Sequence, residues 1–352
     1  MESSNVKRDI VRVVLAVYDP EGTYSQHAGV VMASIFERTQ NPVCVHILHE
    51  ETLTARNRSL LNETAEIFAQ AAEFHDVSAY IRQLGDETVQ IAQKTLWSVG
   101  MLFRLAITDI LPMDKVIYLD CDVVVNMDIR ELWDIPVDDC SCAGVPDTIS
   151  RFSSTALRMR LMGCDPRKYI NSGVLLMNIP RIKKKSNIRQ VIKWFKRYRH
   201  YTKFPDQDLI NSRFRGEIKF LESRFNNCDS NLRAAFCDDI NAPGVAGSIL
   251  HANLTKPWSA PKGSAVDRLY WRSFLKTPWG GLPPEELIDQ IIEIFRKSPL
   301  THRRTTQCYR KIFRRLRNDI FSSDIFKIAA LLFKIPFHEA EYLLARGESE
   351  ET

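Results

Sequence analysis

The segment VIYLDCDVVVN at residues 116–126 is a continuous apolar run with two aspartates, Asp120 and Asp122, at its centre. Such a run predicts a strand that is buried on both faces of a sheet. Side chains two residues apart on a strand leave the same face, so the two carboxylates would lie about 6.6 Å apart. They would repel each other by roughly 2–3 kcal/mol at an effective dielectric constant of about 20. A bound cation is the simplest remedy, and carboxylate oxygens suit Mg²⁺ or Mn²⁺.

The alternative for this aspartate pair is structural: two aspartates that cap a helix or lie in a turn. A turn pair would not require the apolar run from Val116 to Leu119 that precedes it. The metal role is therefore our first interpretation of Asp120 and Asp122.

Strand-like and helix-like patterns alternate along the chain. Apolar, β-rich runs occupy residues 10–19, 43–50, 73–77, 116–125 and 169–179. Helical spacing occupies residues 25–38, 52–72, 96–111, 186–201 and 204–214. This alternation predicts an α/β fold with a mainly parallel sheet, and ligands bind such sheets at the carboxyl ends of the strands. Asp19, Asp120 and Asp122 all lie at that end of an apolar strand.

Composition restricts the class of protein further. The chain has 352 residues, of which 45% are hydrophobic and 26% charged, as in an ordinary globular protein with a sizeable core. The N-terminus lacks a signal-peptide pattern, and no uncharged apolar run reaches the roughly 18 residues of a membrane helix. Eight scattered cysteines, with Cys140 and Cys142 as the close pair, predict reduced thiols in a cytoplasmic protein.

The polar loop HANLTKPW at residues 251–258 carries two further candidates, His251 and Lys256. An imidazole nitrogen added to two carboxylates would favour Mn²⁺ over Mg²⁺, and a nearby lysine could neutralise a departing pyrophosphate. The alternative for His251 is a satisfied histidine that binds nothing.

Arg104 lies in the otherwise apolar segment MLFRLAI, where an unpaired buried guanidinium would be costly. We expect it to pair with a carboxylate, either for structure alone or beside a ligand. The Asp206-Gln207-Asp208 run offers hydroxyl partners of the kind that sugars need, and it could equally cap a helix. Asn171 lies on a strand close to Gly173, which would allow close backbone approach.

Six ordered motifs between about residues 10 and 280 resemble glycosyltransferase family 8, the sugar-nucleotide-dependent galactosyl- and glucosyltransferases of lipopolysaccharide and related glycans. The motifs are LAVYDPEGTYSQHAGVVMAS, MLFRLAITDILP, KVIYLDCDVVV, YINSGVLLMNI, FPDQDLIN and HANLTKPW. The resemblance implies a GT-A fold and a retaining transfer of glucose or galactose from a UDP-sugar to a glycan or lipid-linked acceptor. It also implies a Mn²⁺ cofactor, with Mg²⁺ as the alternative.

The resemblance also implies roles for individual residues. The metal ligands would be Asp120, Asp122 and His251. The nucleotide would contact Ala16, Asp19, Thr23, Tyr24, Cys121 and Lys256, with Tyr24 stacking on the uracil. The donor sugar would lie among Arg104, Asn171, Asp206 and Gln207.

A retaining transfer can proceed by two routes. A double displacement needs a protein nucleophile, for which Gln207 and Asp206 are the candidate catalytic residues, although an amide is a poor nucleophile. The route we favour is attack by the acceptor hydroxyl on the same face of the sugar, with the diphosphate oxygen taking its proton.

We divide the chain into a GT-A catalytic domain at 1–282 and a helical, basic region at 283–352. Residues 181–203 carry ten lysines and arginines and no acid, and residues 302–318 carry seven more along an amphipathic stripe. Such helices bind anionic membrane surfaces, which predicts peripheral attachment at the inner face of the membrane. A solvated basic face is the alternative; no nucleic-acid motif accompanies the charge.

Two other functions fit parts of the sequence. The Asp120-x-Asp122 pair after an apolar strand also fits the nucleophile motif of haloacid-dehalogenase-like phosphatases. That motif normally opens its domain, whereas about 115 residues precede it here. A non-catalytic nucleotide-sugar-binding module would retain Thr23 and Tyr24 without needing the two carboxylates, the histidine and the lysine together.

Overall fold

The computed structural model describes residues 9–94, 98–147, 153–228, 239–253, 256–259 and 264–280. The predicted helical, basic region at 283–352 lies outside the described residues, and so does its tract at 302–318. The predicted boundary between two domains therefore stays a prediction.

The described strands form two sheets. They are β1 (Val11–Val17), β2 (Val43–His49), β3 (Ala71–Asp76), β4 (Lys115–Leu119), β5 (Val123–Asn126), β6 (Cys142–Pro146), β7 (Ile170–Asn178), β8 (Ile218–Phe220), β9 (Asn227–Cys228) and β10 (Ser248–His251). The larger sheet has the order β3-β2-β1-β4-β7-β6-β8, and the smaller has the order β5-β10-β9. In the larger sheet β7 runs antiparallel to both of its neighbours, and the remaining pairs are parallel. The predicted mainly parallel α/β fold is confirmed.

Helices cover both faces of the larger sheet. They are α1 (Ser25–Phe36), α2 (Ala55–Ile67), α3 (Ser78–Leu84), α4 (Asp86–Gln93), α5 (Ile107–Ile110), α6 (Arg130–Trp133), α7 (Ser153–Leu161), α8 (Ile179–Lys185), α9 (Ile188–Tyr198), α10 (Pro205–Arg213) and α11 (Ala265–Phe274). Val13 and Leu15 of β1 face the core beneath α1 and α2, whereas Val14 faces a second core on the other side. A strand that is buried on both faces explains why these runs are apolar without alternation.

The strand predicted at 116–125 is in fact two strands in different sheets. Strand β4 ends at Leu119, and β5 begins at Val123 and pairs antiparallel with β10. Asp120, Cys121 and Asp122 form the connection, so the expectation that both carboxylates leave one face of a single strand is wrong. The chain leaves the larger sheet directly after Asp120, whose N–H still donates to Gly173 O at 2.8 Å. Hydrophobicity alone could not reveal this because both strands are fully buried.

In its described part, the predicted helix at 96–111 is α-helical only in its last turn. Residues Val99–Ala106 form a 3-10 helix, which continues as the short α5. A 3-10 helix has three residues per turn, so Arg104 lies in line with Met101 and Ile107. The segment is packed closely against β1, because a Cβ atom at Gly100 would lie 2.7 Å from Tyr18 Cβ.

The basic tract at 181–203 forms α8, α9 and the turns that follow them. Helix α9 begins after Asn187, whose side chain makes a reciprocal capping box with Gln190. Its apolar side chains are buried against the second core, with Trp194 and Phe195 at 5% and 0% exposure. Within the described residues, no helix combines the length and the apolar character that crossing a bilayer requires.

Candidate active site

The carboxyl end of β4 and the end of β10 bring three candidate metal ligands together. One ligand atom from each of Asp120, Asp122 and His251 lies within 4.8 Å of the others. His251 is the last residue of β10, opposite Val123 of β5, and Ala252 N donates to Asp122 O at 2.9 Å. The antiparallel pairing of β5 with β10 therefore places the histidine beside the aspartates, although the sequence predicted only a loop there.

The space between these side chains is kept open by Gly173 of β7. A Cβ atom at this position would lie 2.9 Å from both Asp120 Oδ2 and His251 Nδ1, and closer still to His251 Cε1. Two carboxylates and one imidazole whose ligand atoms lie within 4.8 Å of one another fit a divalent cation such as Mn²⁺.

Asp122 makes ion pairs with two cationic partners. His251 Nε2 lies 3.2 Å from Asp122 Oδ1, and Lys256 Nζ donates to Asp122 Oδ2. Burial alone would raise the pKa of Asp122, but attraction to His251 and Lys256 outweighs it and holds the pKa well below its usual range. Burial alone would lower the pKa of His251, but attraction to Asp122 outweighs this effect and raises the pKa well above its usual value.

Asn226 connects the histidine to the candidate sugar site, and sequence reasoning missed it. His251 Nδ1 lies 2.9 Å from Asn226 Oδ1, and Asn226 Nδ2 donates to Asn171 Oδ1 at 2.9 Å. An amide oxygen only accepts, so Nδ1 of His251 carries a proton and donates it. This contact turns Nε2 toward Asp122, as in the outer contacts that orient metal-bound histidines. The polar pair Asn226-Asn227, at the start of the two-residue strand β9, was the available signal.

Arg104 has the carboxylate partner that its sequence context predicted, and in fact it has two. Its Nη2 lies 2.7 Å from Asp120 Oδ1, and its Nε lies 2.9 Å from Asp206 Oδ2. Its Nη1 donates to Ser172 O at 2.7 Å, and its guanidinium lies 4.4 Å from the centre of the Tyr118 ring. Burial would lower the pKa of Arg104, but the two carboxylates outweigh this and raise it. Arg104 thus joins the metal pocket to α10.

The three polar residues in the first turn of α10, Asp206, Gln207 and Asp208, make different contacts. Asp208 is fully buried and accepts from Arg158 Nη1 at 2.7 Å and from Tyr169 Oη at 2.6 Å, so its role is structural. Asp206 and Gln207 instead face β7, where Ser172 N donates to Gln207 Oε1 at 2.9 Å. Burial raises the pKa of Asp206, although its pairing with Arg104 opposes the shift.

Asp147 is a second residue that sequence reasoning did not name. It follows directly after β6, and its Oδ2 accepts from Gln207 Nε2 at 3.0 Å and from Asn171 Nδ2 at 3.3 Å. Its position at the carboxyl end of a strand was the same signal that singled out Asp120. The amide groups of Asn171 and Gln207 are therefore oriented by a shared carboxylate.

The candidate nucleotide residues lie around the end of β1. Cys121 Sγ donates to Ala16 O at 3.4 Å, which places the aspartate turn next to this strand end. Asp19 is 1% exposed, and its carboxylate accepts from Tyr24 N at 2.6 Å and from Asn57 Nδ2 at 2.9 Å. It therefore holds the start of α1 in place. Thr23, two residues before the start of α1, is exposed.

The loop that carries Lys256 is attached to α1 by aromatic stacking. The ring of Trp258 stacks on His27 with centroids 3.7 Å apart, and the Tyr24 ring meets His27 edge-on with centroids 5.6 Å apart. Burial raises the pKa of Tyr24, and nearby Cys121 and Asp122 raise it further. Tyr24 and Lys256 thus border the same pocket.

The fold and the site are those of a mainly parallel α/β protein with an acidic pocket, able to hold a divalent cation, at the carboxyl end of β4. A sequence model of glycosyl transferase family 8 matches residues 16–261, which is more than half of the chain. The chain belongs to this family. Membership excludes the phosphatase alternative for Asp120 and Asp122.

Individual relatives agree with this assignment. The chain is 26% identical over 211 residues to a putative glycosyltransferase of Haemophilus influenzae, covering 60% of this chain and 62% of that protein. It is 25% identical over 285 residues to a lipopolysaccharide 1,2-glucosyltransferase of Escherichia coli, covering 75% of this chain and 79% of that one. A solved structure of the galactosyltransferase LgtC with donor and acceptor sugar analogues aligns with a TM-score of 0.63 and 20% identity. That alignment covers 79% of this chain and 99% of LgtC, and it shows the GT-A fold.

Proposed function

We propose that this protein is a retaining hexosyltransferase that moves glucose or galactose from a UDP-sugar to a glycan or lipid-linked acceptor. The observation that carries the proposal is the convergence of Asp120, Asp122 and His251 within 4.8 Å, with Lys256 paired to Asp122. A binding module for neutral sugars would not need this concentration of charge.

A divalent cation held by Asp120, Asp122 and His251, Mn²⁺ by preference and Mg²⁺ as the alternative, would supply Lewis-acid stabilisation of the diphosphate. Lys256 is part-exposed and reaches this pocket from its loop, so its ammonium can transfer from Asp122 to a phosphate oxygen. Tyr24, whose ring meets His27 edge-on, would stack on the uracil, and Ala16, Thr23 and Cys121 would line the nucleotide pocket. Asp19 would act there by fixing the start of α1.

The donor sugar would lie between β7 and α10, against Arg104, Asn171, Asp206 and Gln207. Arg104 already bridges Asp120 and Asp206. The hydroxyl-binding side is therefore tied to the metal side, and the anomeric carbon would be held in line with the diphosphate.

Two contacts support same-face attack over a covalent intermediate. Asp206 is 5% exposed and is paired with Arg104 at 2.9 Å, which weakens it as a nucleophile. The amide oxygen of Gln207 accepts from Ser172 N at 2.9 Å, and an amide is a poor nucleophile in any case. In the proposed mechanism the acceptor hydroxyl attacks from the side of the leaving group, and a diphosphate oxygen takes its proton.

The test is UDP release from UDP-glucose, UDP-galactose, UDP-GlcNAc and UDP-GalNAc, each with Mn²⁺ and with EDTA. We expect metal-dependent release from one of the two hexose donors. If none of the donors turns over while calorimetry detects Mn²⁺-dependent UDP binding, the protein is a binding module and the transferase proposal fails. Absence of both turnover and UDP binding would overturn the nucleotide site itself.

We further propose that the protein works in the cytoplasm, at the inner face of the membrane, where a lipid-linked acceptor would be available. Helix α9 supports this: it buries Trp194 and Phe195 and leaves Lys193 and Arg197 exposed. A basic face of this kind is attracted to anionic lipid. Cosedimentation with phosphatidylglycerol vesicles but not with phosphatidylcholine vesicles is expected. Binding to neither would reject attachment.

A further inference from the structure

A second group of metal-ligating side chains lies away from the candidate active site, on strands β2 and β3 at the edge of the larger sheet. Cys44 and His46 are two residues apart on β2, and Glu73 and His75 are two residues apart on β3. The strands are parallel, and His46 is the register partner of Glu73. Because side chains two apart share a face, the four side chains project from one side of the sheet.

Two overlapping sets of three within this group are spaced as metal ligands are. His46 Nδ1 lies 3.1 Å from His75 Nε2 and 3.3 Å from Glu73 Oε2, and His75 Nε2 lies 3.8 Å from the same carboxylate oxygen. Ligand atoms of Cys44, His46 and Glu73 also lie within 4.8 Å of one another. Nitrogen and oxygen ligands about 2.0–2.1 Å from a tetrahedral zinc ion are about 3.3 Å apart, so little rearrangement would be needed.

The group has a buried floor and an open mouth. Cys44 and His46 are 5% and 0% exposed, whereas the side chains of His75 and Glu73 are 19% and 55% exposed. An ion could therefore enter from solvent past Glu73. His46 Nδ1 makes both of the ring's contacts, and its Nε2 has no hydrogen-bond partner in the described part of the protein.

We propose that Cys44, His46, Glu73 and His75 form a second metal site that takes Zn²⁺. A thiolate, two imidazoles and one carboxylate are all ligand types that zinc accepts, and the thiolate and carboxylate balance its charge. The active-site pocket, with two carboxylates and one histidine, suits a harder ion. A zinc ion here would fasten the edge strand β3 to β2.

Two features set the strength of this site. Binding requires the Cys44 thiol to release its proton to solvent, and burial together with Glu73 raises the pKa of that thiol to about 12. Coordination at Nδ1 would also move the ring proton of His46 to the unpartnered Nε2, without the outer contact that supports most zinc-bound histidines. We therefore expect an affinity below that of a structural zinc finger.

The first experiment uses Co²⁺ as a spectroscopic probe on the metal-stripped full chain, with a non-thiol reductant. We expect a thiolate-to-cobalt charge-transfer band that saturates by two equivalents, since the active-site pocket also takes up Co²⁺ without giving this band, and that is displaced by Zn²⁺. Cys44→Ser should abolish it. Cys228→Ser is the matched control, because Cys228 Sγ lies 3.8 Å from His251 Nδ1, beside the other candidate metal pocket. A band that survives Cys44→Ser, or no band in the folded wild type, would overturn the proposal.

The second experiment measures the melting temperature with and without Zn²⁺. Zinc should raise it by roughly 4 °C in the wild type, because the ion binds the folded state. His75→Ala should reduce this shift while the protein still folds, since His75 is partly exposed and the active-site pocket keeps its own ligands. His49→Ala is the control: His49 also lies on β2 but contacts Phe74, whose side chain packs on the opposite core, and the zinc shift should persist. Equal shifts in both variants would contradict the site. Neither readout depends on transferase activity.

Discussion

Gly173 and His251 approach each other so closely that position 173 has no room for a side chain. Their contact is fixed from both sides, because Gly173 O accepts from Asp120 N at 2.8 Å and His251 Nδ1 is held by Asn226 at 2.9 Å. A methyl group at 173 would lie 2.9 Å from Asp120 Oδ2 as well. Two candidate metal ligands therefore depend on the absence of one Cβ atom.

Gly173→Ala should reduce metal-dependent UDP release by about 10²-fold, because displacement of a ligand by about 1 Å has effects of that order. The apparent Mn²⁺ affinity should fall in parallel. Gly144→Ala is the matched control on the neighbouring strand, where the new methyl would meet Ile170 Cδ1 at 2.6 Å. That variant should lose thermal stability and keep its specific activity once folded. Normal Mn²⁺ affinity in Gly173→Ala would show that the pocket does not hold the ion.

Asp122→Asn should lower turnover by about 10³-fold, the order expected when a Lewis acid worth several kcal/mol is lost. The amide would also leave Lys256 without its carboxylate partner. Circular dichroism should show an intact fold. Asp134→Asn, which removes an exposed carboxylate paired with Arg130, should leave turnover unchanged. Full activity in the Asp122 variant would remove the metal from the mechanism.

Arg104→Lys should lower both stability and turnover. Lysine cannot reach Asp120, Asp206 and Ser172 together, because the planar guanidinium supplies its donors in three directions. A buried carboxylate left without a partner costs about 3 kcal/mol, so unfolding in urea should occur at a lower midpoint. Arg224 is the control, since it also bridges two carboxylates, Glu131 and Glu222, but at the surface. If Arg224→Lys is as destabilising as Arg104→Lys, the burial argument is wrong.

His27 should make stability depend on pH. Burial lowers its pKa to about 3, whereas an unfolded histidine titrates near 6.5. Below pH 6.5 the unfolded state therefore binds more protons, and stability falls as the pH drops toward 3, by up to about 1.4 kcal/mol per pH unit. His27→Gln, which can still bond Tyr270, should show a shallower decline of melting temperature between pH 7 and 5. Parallel curves for the two proteins would contradict this account.

The sequence predicted the parts of this site that depend on local pattern. Apolar runs ending in aspartate located the strand ends, and the isolated Arg104 in an apolar segment correctly implied a buried ion pair. The sequence could not reveal partners that topology supplies. The pairing of β5 with β10 turns a predicted loop residue, His251, into the end of a strand, and no periodicity encodes that long-range contact.

The same limit explains why the sequence did not reveal Asn226, Asp147 or the proposed zinc ligands on β2 and β3. Asn226 and Asp147 lie next to the site only because β6, β7 and the short strand β9 converge there. Cysteine spacing within one segment could not reveal this group, because Cys44 and Glu73 are brought together by two strands that are separated by a helix. Register partners on two neighbouring parallel strands are close in space, however many residues of the chain separate the two strands.

The break between β4 and β5 has a consequence for how the affinity of the site is set. Asp120 is hydrogen-bonded to β7 of the larger sheet, whereas His251 and the residues that follow Asp122 belong to the smaller one, so the distance between the candidate ligands depends on how the two sheets are placed relative to each other. Ser34 of α1 contacts the smaller sheet, since Val125 N donates to its hydroxyl at 3.1 Å. Under the proposed function, substitutions beneath β5 that never touch a ligand would therefore change the ion selectivity of the pocket. The positions that control it would then extend well beyond the residues that line it.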